Sequence, residues 1–495
     1  MPLLNDILIF SYYCCYCAIV LLDWLLHVVL GRRFTPLTED SLLRDLSLND
    51  RRLLLSDNLT GRWWYQGFTQ LLKCYREDDT CSVAGRMRIE IRWKEIIKNR
   101  LAISRRLPTV DLTKCHIKEP IFIIGPTRTG TTFLQSLLYQ DPLKTSPLFY
   151  ELMCPVEENT DAVDAGKDPR VLMFSFFLEA AYRGKRLFKN IHNIQAKSPH
   201  ECFPLFENMG IFKAYQGISG NTGPYRDWVR ARTGKDPRVL MFSFLLDVAL
   251  RGKRMFKYIH NVQAKSPHEC FHLFDNIGIF KFYQGVIGNT GPYRDWVRAR
   301  TKEEMVEAYR FHRLQLQLIL LARNSASDDQ HVIVKDSMHG VYLDAILAVY
   351  PDAMFIHTYR NPCKSLASVC SLFQHHTTCV FDLKDKGRDV VDDPLFHAGN
   401  EILEFRKNHP DQEHRFVDID YEHLVRSPMD SVRQIYDKFG LDLSEQAEVK
   451  MKEYIKENPQ NKYGRHHYNL EPYGLKEEEI FEKFRDYIEY FNIQY

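Results

Sequence analysis

Residues 121–132 read IFIIGPTRTGTT, a short apolar run opening into two glycines, Gly125 and Gly130, five positions apart. A strand that turns through such a loop into a helix aims backbone N–H groups and the positive end of the helix dipole at one point. That is chemistry for an anion, above all a phosphate. Triphosphate loops of this kind place a lysine directly after the second glycine. Here Thr131 stands there, followed by Thr132, and the nearest cation is Arg128 inside the loop. Two hydroxyls and a planar guanidinium fork suit phosphate oxygens. A plain glycine turn before a helix uses the same residue types, so the loop alone establishes an anion-binding turn and no more.

A second set lies in AMFIHTYRNPCKSLASVCSLF, where Arg360 and Ser368 stand eight residues apart. If Asn361-Pro362 turns the chain into a helix, Ser368 falls about two turns along it, and its hydroxyl and the Arg360 guanidinium would converge on a second phosphate. An arginine paired with a carboxylate and a serine facing solvent is the bland alternative. Taken with the first loop, two anion sites at strand ends of one parallel sheet describe a ligand with phosphates at both ends of a nucleoside. A P-loop kinase or NTPase is the rival reading. It needs a loop lysine and an acidic strand end for Mg²⁺, whereas this strand runs into Tyr359-Arg360-Asn361. A membrane-tethered, non-catalytic homologue is the other rival.

The elements that must position these groups follow from periodicity. Residues 34–118 read as a polar, mostly helical region, with RIEIRWKEIIKNRLAISRRL at helical spacing. From Pro120 the pattern becomes α/β: strand IFIIG, helix TTFLQSLLYQ, and later helix EEMVEAYRFHRLQLQLILLAR, strand HVIVKDS, helix VYLDAILAVYP and strand AMFIHTYRNP. A strand over HRFVDIDYEHLV and helices over SVRQIYDKFG and EEEIFEKFRDYIEYF complete a domain spanning 119–495. Inside it, residues 166–233 and 234–301 are tandem copies that differ at 13 positions. Solenoids stack three or more repeats, so two near-identical neighbours point instead to a duplicated exon or two exclusive exons joined in one chain. One copy then occupies the core position.

The chain has 495 residues and a net charge of +2, which gives no general electrostatic case for nucleic acid. Its 12 cysteines are scattered apart from Cys14, Cys15 and Cys17 in the apolar N-terminal run, where one CxxC spacing has no second pair to complete it, so neither a disulfide framework nor a zinc site is indicated. The first 33 residues differ from the rest: ILIFSYYCCYCAIVLLDWLLHVVL, residues 7–30, precedes Arg32 and Arg33 and is long enough to span a bilayer. A single-pass N-terminal membrane anchor is the expectation. The two arginines favour a cytosolic carboxyl side, while the sequon Asn58-Leu59-Thr60 suits a Golgi-lumenal face.

Across residues 119–490 the chain resembles the PAPS-dependent sulfotransferases, in the branch whose loop reads GxPRSGTT. The motifs carrying the resemblance are PIFIIGPTRTGTTFLQSLLYQDP, IHNIQAKSPHEC, VKDSMHG, YPDAMFIHTYRNP, DYEHLV and HHYNLEPYGL. Thr129 departs from the usual serine, and Asp336 stands where the branch often has Ser-Pro. The resemblance implies a three-layer α/β fold, a P-loop-like central parallel sheet flanked by helices. It also implies PAPS (3′-phosphoadenosine 5′-phosphosulfate) as co-substrate without a metal. Gly125, Arg128, Thr129, Gly130, Thr131 and Thr132 would bind the 5′-phosphosulfate, Arg360 and Ser368 the 3′-phosphate, and Tyr421 would lie near the adenine. The reaction implied is in-line sulfuryl transfer to a hydroxyl or amine of a glycan, sterol, phenol or other small molecule. Charge builds on the leaving phosphate, a role for Arg128 assisted by Lys335. Candidates for the base are His192 or its repeat counterpart His260, Glu201 or its counterpart Glu269, and His339.

Overall fold

The computed structural model describes residues 35–56, 61–77, 83–156, 168, 170–171, 265–279, 291–323, 330–377, 387–394, 397–459 and 469–494. Among these, no helix is long and apolar enough to cross a membrane. The apolar run at 7–30, on which the expected anchor rests, lies outside them, as do His192, Glu201 and His260.

Five strands form one parallel sheet: β1 (Ile121–Ile124), β2 (Lys144–Thr145), β3 (His331–Lys335), β4 (Met354–Tyr359) and β5 (Phe416–Asp420), in the order β2-β3-β1-β4-β5. All four residues of β1 are buried, because helices cover both faces of a parallel sheet and its strands therefore read as unbroken apolar runs. Side chains alternate between two cores. Phe122, Ile124, Val334 and Phe355 face one, while Ile121, Ile123, Ile356 and Val417 face the other. This is the three-layer α/β architecture that the sequence implied.

The helices used below are α1 (Gly61–Glu77), α2 (Val83–Arg106), α3 (Thr131–Leu138), α4 (Phe271–Asp275), α5 (Lys302–Ala322), α6 (Pro362–Thr377), α7 (Tyr421–Arg426) and α8 (Pro428–Phe439). The polar N-terminal helices share the first core. Trp64 of α1 stacks on Phe68 at 5.0 Å, and Phe68 meets Trp93 of α2 edge-on at 4.5 Å. Three side chains from α1 and α2 hold the segment around α4: Trp64 Nε1 donates to Asp275 O at 3.3 Å, Arg92 to the Asp275 carboxylate at 2.9 Å, and the buried Arg100 to Asn276 O.

Three sequence expectations are corrected. The run His414–Val425 is a strand only over Phe416–Asp420; Asp420 then caps α7 by accepting from His423 N at 3.0 Å. The C-terminal run EEEIFEKFRDYIEYF divides at Phe484 into helices Glu477–Lys483 and Arg485–Tyr490. The helix of VYLDAILAVYP begins at Leu343, after a 3₁₀ turn from Ser337 to Val341 that Asp336 starts by accepting from Met338 N at 2.8 Å. In each case one polar or aromatic residue at a boundary outweighs the run of favourable propensities beside it.

Of the duplicated segment, the second copy supplies the described 265–279 and 291–301. Ser266 O accepts from Phe149 N at 3.0 Å, Pro267 bridges Leu148, and Cys270 N donates to Lys335 O at 3.0 Å. These contacts seat the copy beside the carboxyl end of β3.

Candidate functional site

β1 and β4 are neighbours in the sheet, and the connection from β1 runs to β2 on one side of the pair while that from β4 runs to β5 on the other. Such a switch point opens a crevice beyond the carboxyl ends of the strands. The β1–α3 loop fills its base. Gly125 has φ +126°, and a Cβ there would stand 2.2 Å from the Thr358 carbonyl oxygen. Only glycine lets the loop lie this close to β4. Arg128 also has a left-handed backbone, φ +73°. This conformation is rare for a residue with a side chain and is found where a loop is held for a purpose.

Thr129 supplies the holding. Its fully buried hydroxyl donates to Pro126 O at 2.7 Å and lies 2.6 Å from the Thr358 hydroxyl. The Thr129 hydroxyl thus braces the loop from within. Thr131 and Thr132 begin α3 and stay partly exposed.

Three cations meet at this crevice. Arg128 Nε donates to Ser368 Oγ of α6 at 3.0 Å, so Ser368 does reach the loop from nearly two turns inside its helix. Arg360, at the end of β4, donates to Arg128 O at 3.5 Å, places its guanidinium carbon 4.0 Å over the Tyr421 ring and lies 3.8 Å from the Glu422 carboxylate. Lys335, at the end of β3 and 1% exposed at its side chain, donates to Thr132 Oγ1 at 3.0 Å and to Glu269 Oε1 at 2.6 Å. Gly125, Arg128, Thr131, Thr132, Lys335, Arg360, Ser368, Tyr421 and Glu269 therefore share one crevice.

His339 does not join them. It is sealed beneath β1, with Nδ1 2.9 Å from the Tyr309 hydroxyl and its ring edge-on to Phe122 at 5.0 Å. No acceptor reaches a fully buried ring, so its place at the end of a strand motif is a core position.

Two supports were invisible in the sequence. Thr358 meets both Gly125 and Thr129, and Asp336 accepts from Phe271 N at 3.2 Å as well as capping its own turn. Asp336 thereby fixes the Glu269 segment against Lys335. The contacts with Gly125, Thr129 and Phe271 each cross a long stretch of sequence, so nothing local announces them.

A model of the sulfotransferase family matches residues 120–445. An omega-hydroxy-beta-dihydromenaquinone-9 sulfotransferase, Stf3, of Mycobacterium bovis is 24% identical over 363 residues, covering 72% of each chain. Among solved structures, sulfotransferase STF1 of Mycobacterium tuberculosis H37Rv is 23% identical with a TM-score of 0.60, covering 92% of this chain and 100% of its own. Sulfotransferase STF9 of Mycobacterium avium is 20% identical with a TM-score of 0.65, covering 94% and 99%. At these identities the two structures bear on the fold.

Proposed function

The chain belongs to the sulfotransferase family and moves a sulfuryl group to an acceptor; on that premise we propose that its donor is PAPS, held across the crevice between the β1–α3 loop and the β4–α6 turn. The observation that carries this reading is the spacing of three cations over one switch point, with Glu269 facing the innermost. Backbone N–H groups of 125–132 with Arg128, Thr131 and Thr132 hold the 5′-phosphosulfate. Arg360 and Ser368 hold the 3′-phosphate, and Tyr421, already stacked on Arg360, lies beside the adenine.

Bound there, the donor supplies a sulfuryl group whose bond to the bridging oxygen breaks as the bond to the acceptor oxygen or nitrogen forms. Lys335 and Arg128 stabilise the charge that builds on the leaving phosphate. Glu269 takes the acceptor proton, and its 2.6 Å contact with Lys335 holds the carboxylate beside the reacting groups. Glu269 is preferred to His339 because the latter is sealed in the core. The acceptor is a hydroxyl or amine compound. An N-terminal anchor at 1–33 remains part of the proposal, supported by the apolar run at 7–30; resistance of the protein to carbonate extraction from membranes tests it.

Radiolabelled transfer from PAPS to a panel of glycans, sterols, phenols and an omega-hydroxylated quinone tests the reaction. Calorimetry with 3′-phosphoadenosine 5′-phosphate (PAP) tests the cradle. Tight ATP–Mg²⁺ binding without affinity for PAP would overturn the donor assignment.

A further inference from the structure

Behind the crevice, Cys270, His312 and His339 converge in the sheet's first core. All three are fully buried, and one donor atom of each lies within 4.8 Å of the others. They come from three separate elements: the segment ahead of α4, the middle of α5, and the turn after β3. The two imidazoles are fixed alike. His312 Nδ1 lies 3.1 Å from the Tyr350 hydroxyl and His339 Nδ1 2.9 Å from the Tyr309 hydroxyl. A hydroxyl that accepts the Nδ1 proton leaves the lone pair on Nε2 and fixes the ring, as the outer partners of metal-bound histidines do. His312 Nε2 is buried with no hydrogen-bond partner, an unusual condition for a ring nitrogen in an apolar core.

The ring geometry also fits. The His312 and His339 centroids are 5.6 Å apart with planes inclined at 75°. Two imidazoles on one tetrahedral ion, each nitrogen about 2 Å from it, have centroids about 5 Å apart. Sulfur and imidazole donors select zinc-class ions over magnesium or calcium. We propose that Cys270, His312 and His339 bind a zinc ion through three protein donors in a buried site that takes no part in transfer.

The site has a consequence for the crevice. Cys270 directly follows Glu269, and His339 lies four residues after Lys335. A zinc ion at the three donors ties together the two segments whose side chains meet at 2.6 Å, and α5 backs both. The ion takes no part in sulfuryl transfer; it positions the two segments that do.

The test uses the full-length chain and reads metal rather than activity. Zinc per chain is measured by inductively coupled plasma mass spectrometry, and Co(II) is exchanged in as a spectroscopic probe. The expected result is about one equivalent of zinc, with a thiolate-to-Co(II) charge-transfer band. His312→Gln is the variant of choice because His312 lies outside the duplicated segment, whereas Cys270 has a twin in Cys202. It should lower bound zinc at least about tenfold and abolish the band. Wild-type protein that takes up less than about a tenth of an equivalent and gives no thiolate band overturns the proposal, whatever the variant's folding. So does a folded His312→Gln protein that keeps both metal and band.

Discussion

Replacing Gly125 with alanine strains the β1–α3 loop at its tightest point. An alanine Cβ would sit 2.2 Å from the Thr358 carbonyl oxygen and 3.1 Å from its hydroxyl, where real Cβ contacts do not fall below 3.0 Å. The loop must therefore withdraw by about 0.8 Å, the gap between 2.2 and 3.0 Å. The obstacle is backbone of a central strand, which cannot rotate away. The φ of +126° adds backbone strain, of the order of 1–3 kcal/mol. Withdrawal stretches the 2.6 Å contact from Thr129 to Thr358 and carries Arg128 with it. Misplacing reacting groups by about 1 Å costs about 10²-fold in rate, close to 2.7 kcal/mol. We expect PAP affinity to fall about 10- to 100-fold and sulfuryl transfer by at least as much, with far-UV circular dichroism unchanged. Gly440→Ala is the internal control: it also has positive φ, +63°, but nothing lies within 4 Å of its Cβ. That variant should lose about 1 kcal/mol of stability and bind PAP as wild type does. Calorimetry with PAP, together with thermal melts of both variants, decides the matter. If Gly125→Ala binds PAP with wild-type affinity, the loop is no nucleotide cradle and the reasoning fails.

Arg360→Ala removes charge-assisted hydrogen bonds to one phosphate and should weaken PAP about 10- to 100-fold; unchanged affinity in calorimetry would contradict the 3′-phosphate assignment. Glu269→Gln should slow single-turnover transfer about 10²- to 10⁴-fold while leaving PAP affinity within about twofold; a wild-type rate would remove Glu269 as the base. Away from the crevice, burial acts to raise the Asp418 pKa, but hydrogen bonds and charge from His357 (2.8 Å) and Arg406 (2.7 Å) outweigh it and hold it at about 2. A depressed carboxylate stabilises the fold above its unfolded pKa of about 4, and this contribution of about 2 kcal/mol is lost as pH falls toward 2. Asp418→Asn should therefore lower the melting temperature at pH 7 and flatten its decline between about pH 4 and 2; a wild-type acid limb would refute the linkage. Deleting residues 166–233 brings Gly234 after Ala165, with the identical GKDPRVLMFSF run restored. The shortened chain should keep the contacts of 265–279 with β3 and bind PAP as the full chain does, a result that calorimetry checks.

The β1–α3 loop was legible because its geometry is local. A four-residue apolar strand, two glycines, an arginine and a pair of hydroxyl residues lie within one turn of chain, so neighbouring residues dictate their common geometry. The parallel α/β class was legible for a related reason, since unbroken runs such as IFII and HVIVK imply cover on both faces. Arg360 and Ser368 both reach Arg128 because one strand–helix corner carries both. Fine boundaries were not legible, as Asp420 and Phe484 illustrate: a single cap or a packed aromatic ended a run that propensity alone would have continued.

The sequence by itself determined the glycine-hinged β1–α3 loop, the succession of the longer strands and helices, and the absence of the lysine that a triphosphate loop places after its second glycine. Tertiary structure decided which candidates share the crevice. It brought Glu269 to Lys335 across 66 residues, turned the Thr129 hydroxyl inward to Thr358, and buried His339 among Phe122, Tyr309 and His312. The reason is physical. Spacing along a strand or helix fixes neighbours within a few residues, whereas contacts between elements depend on how the sheet orders its strands and on which helix covers which face.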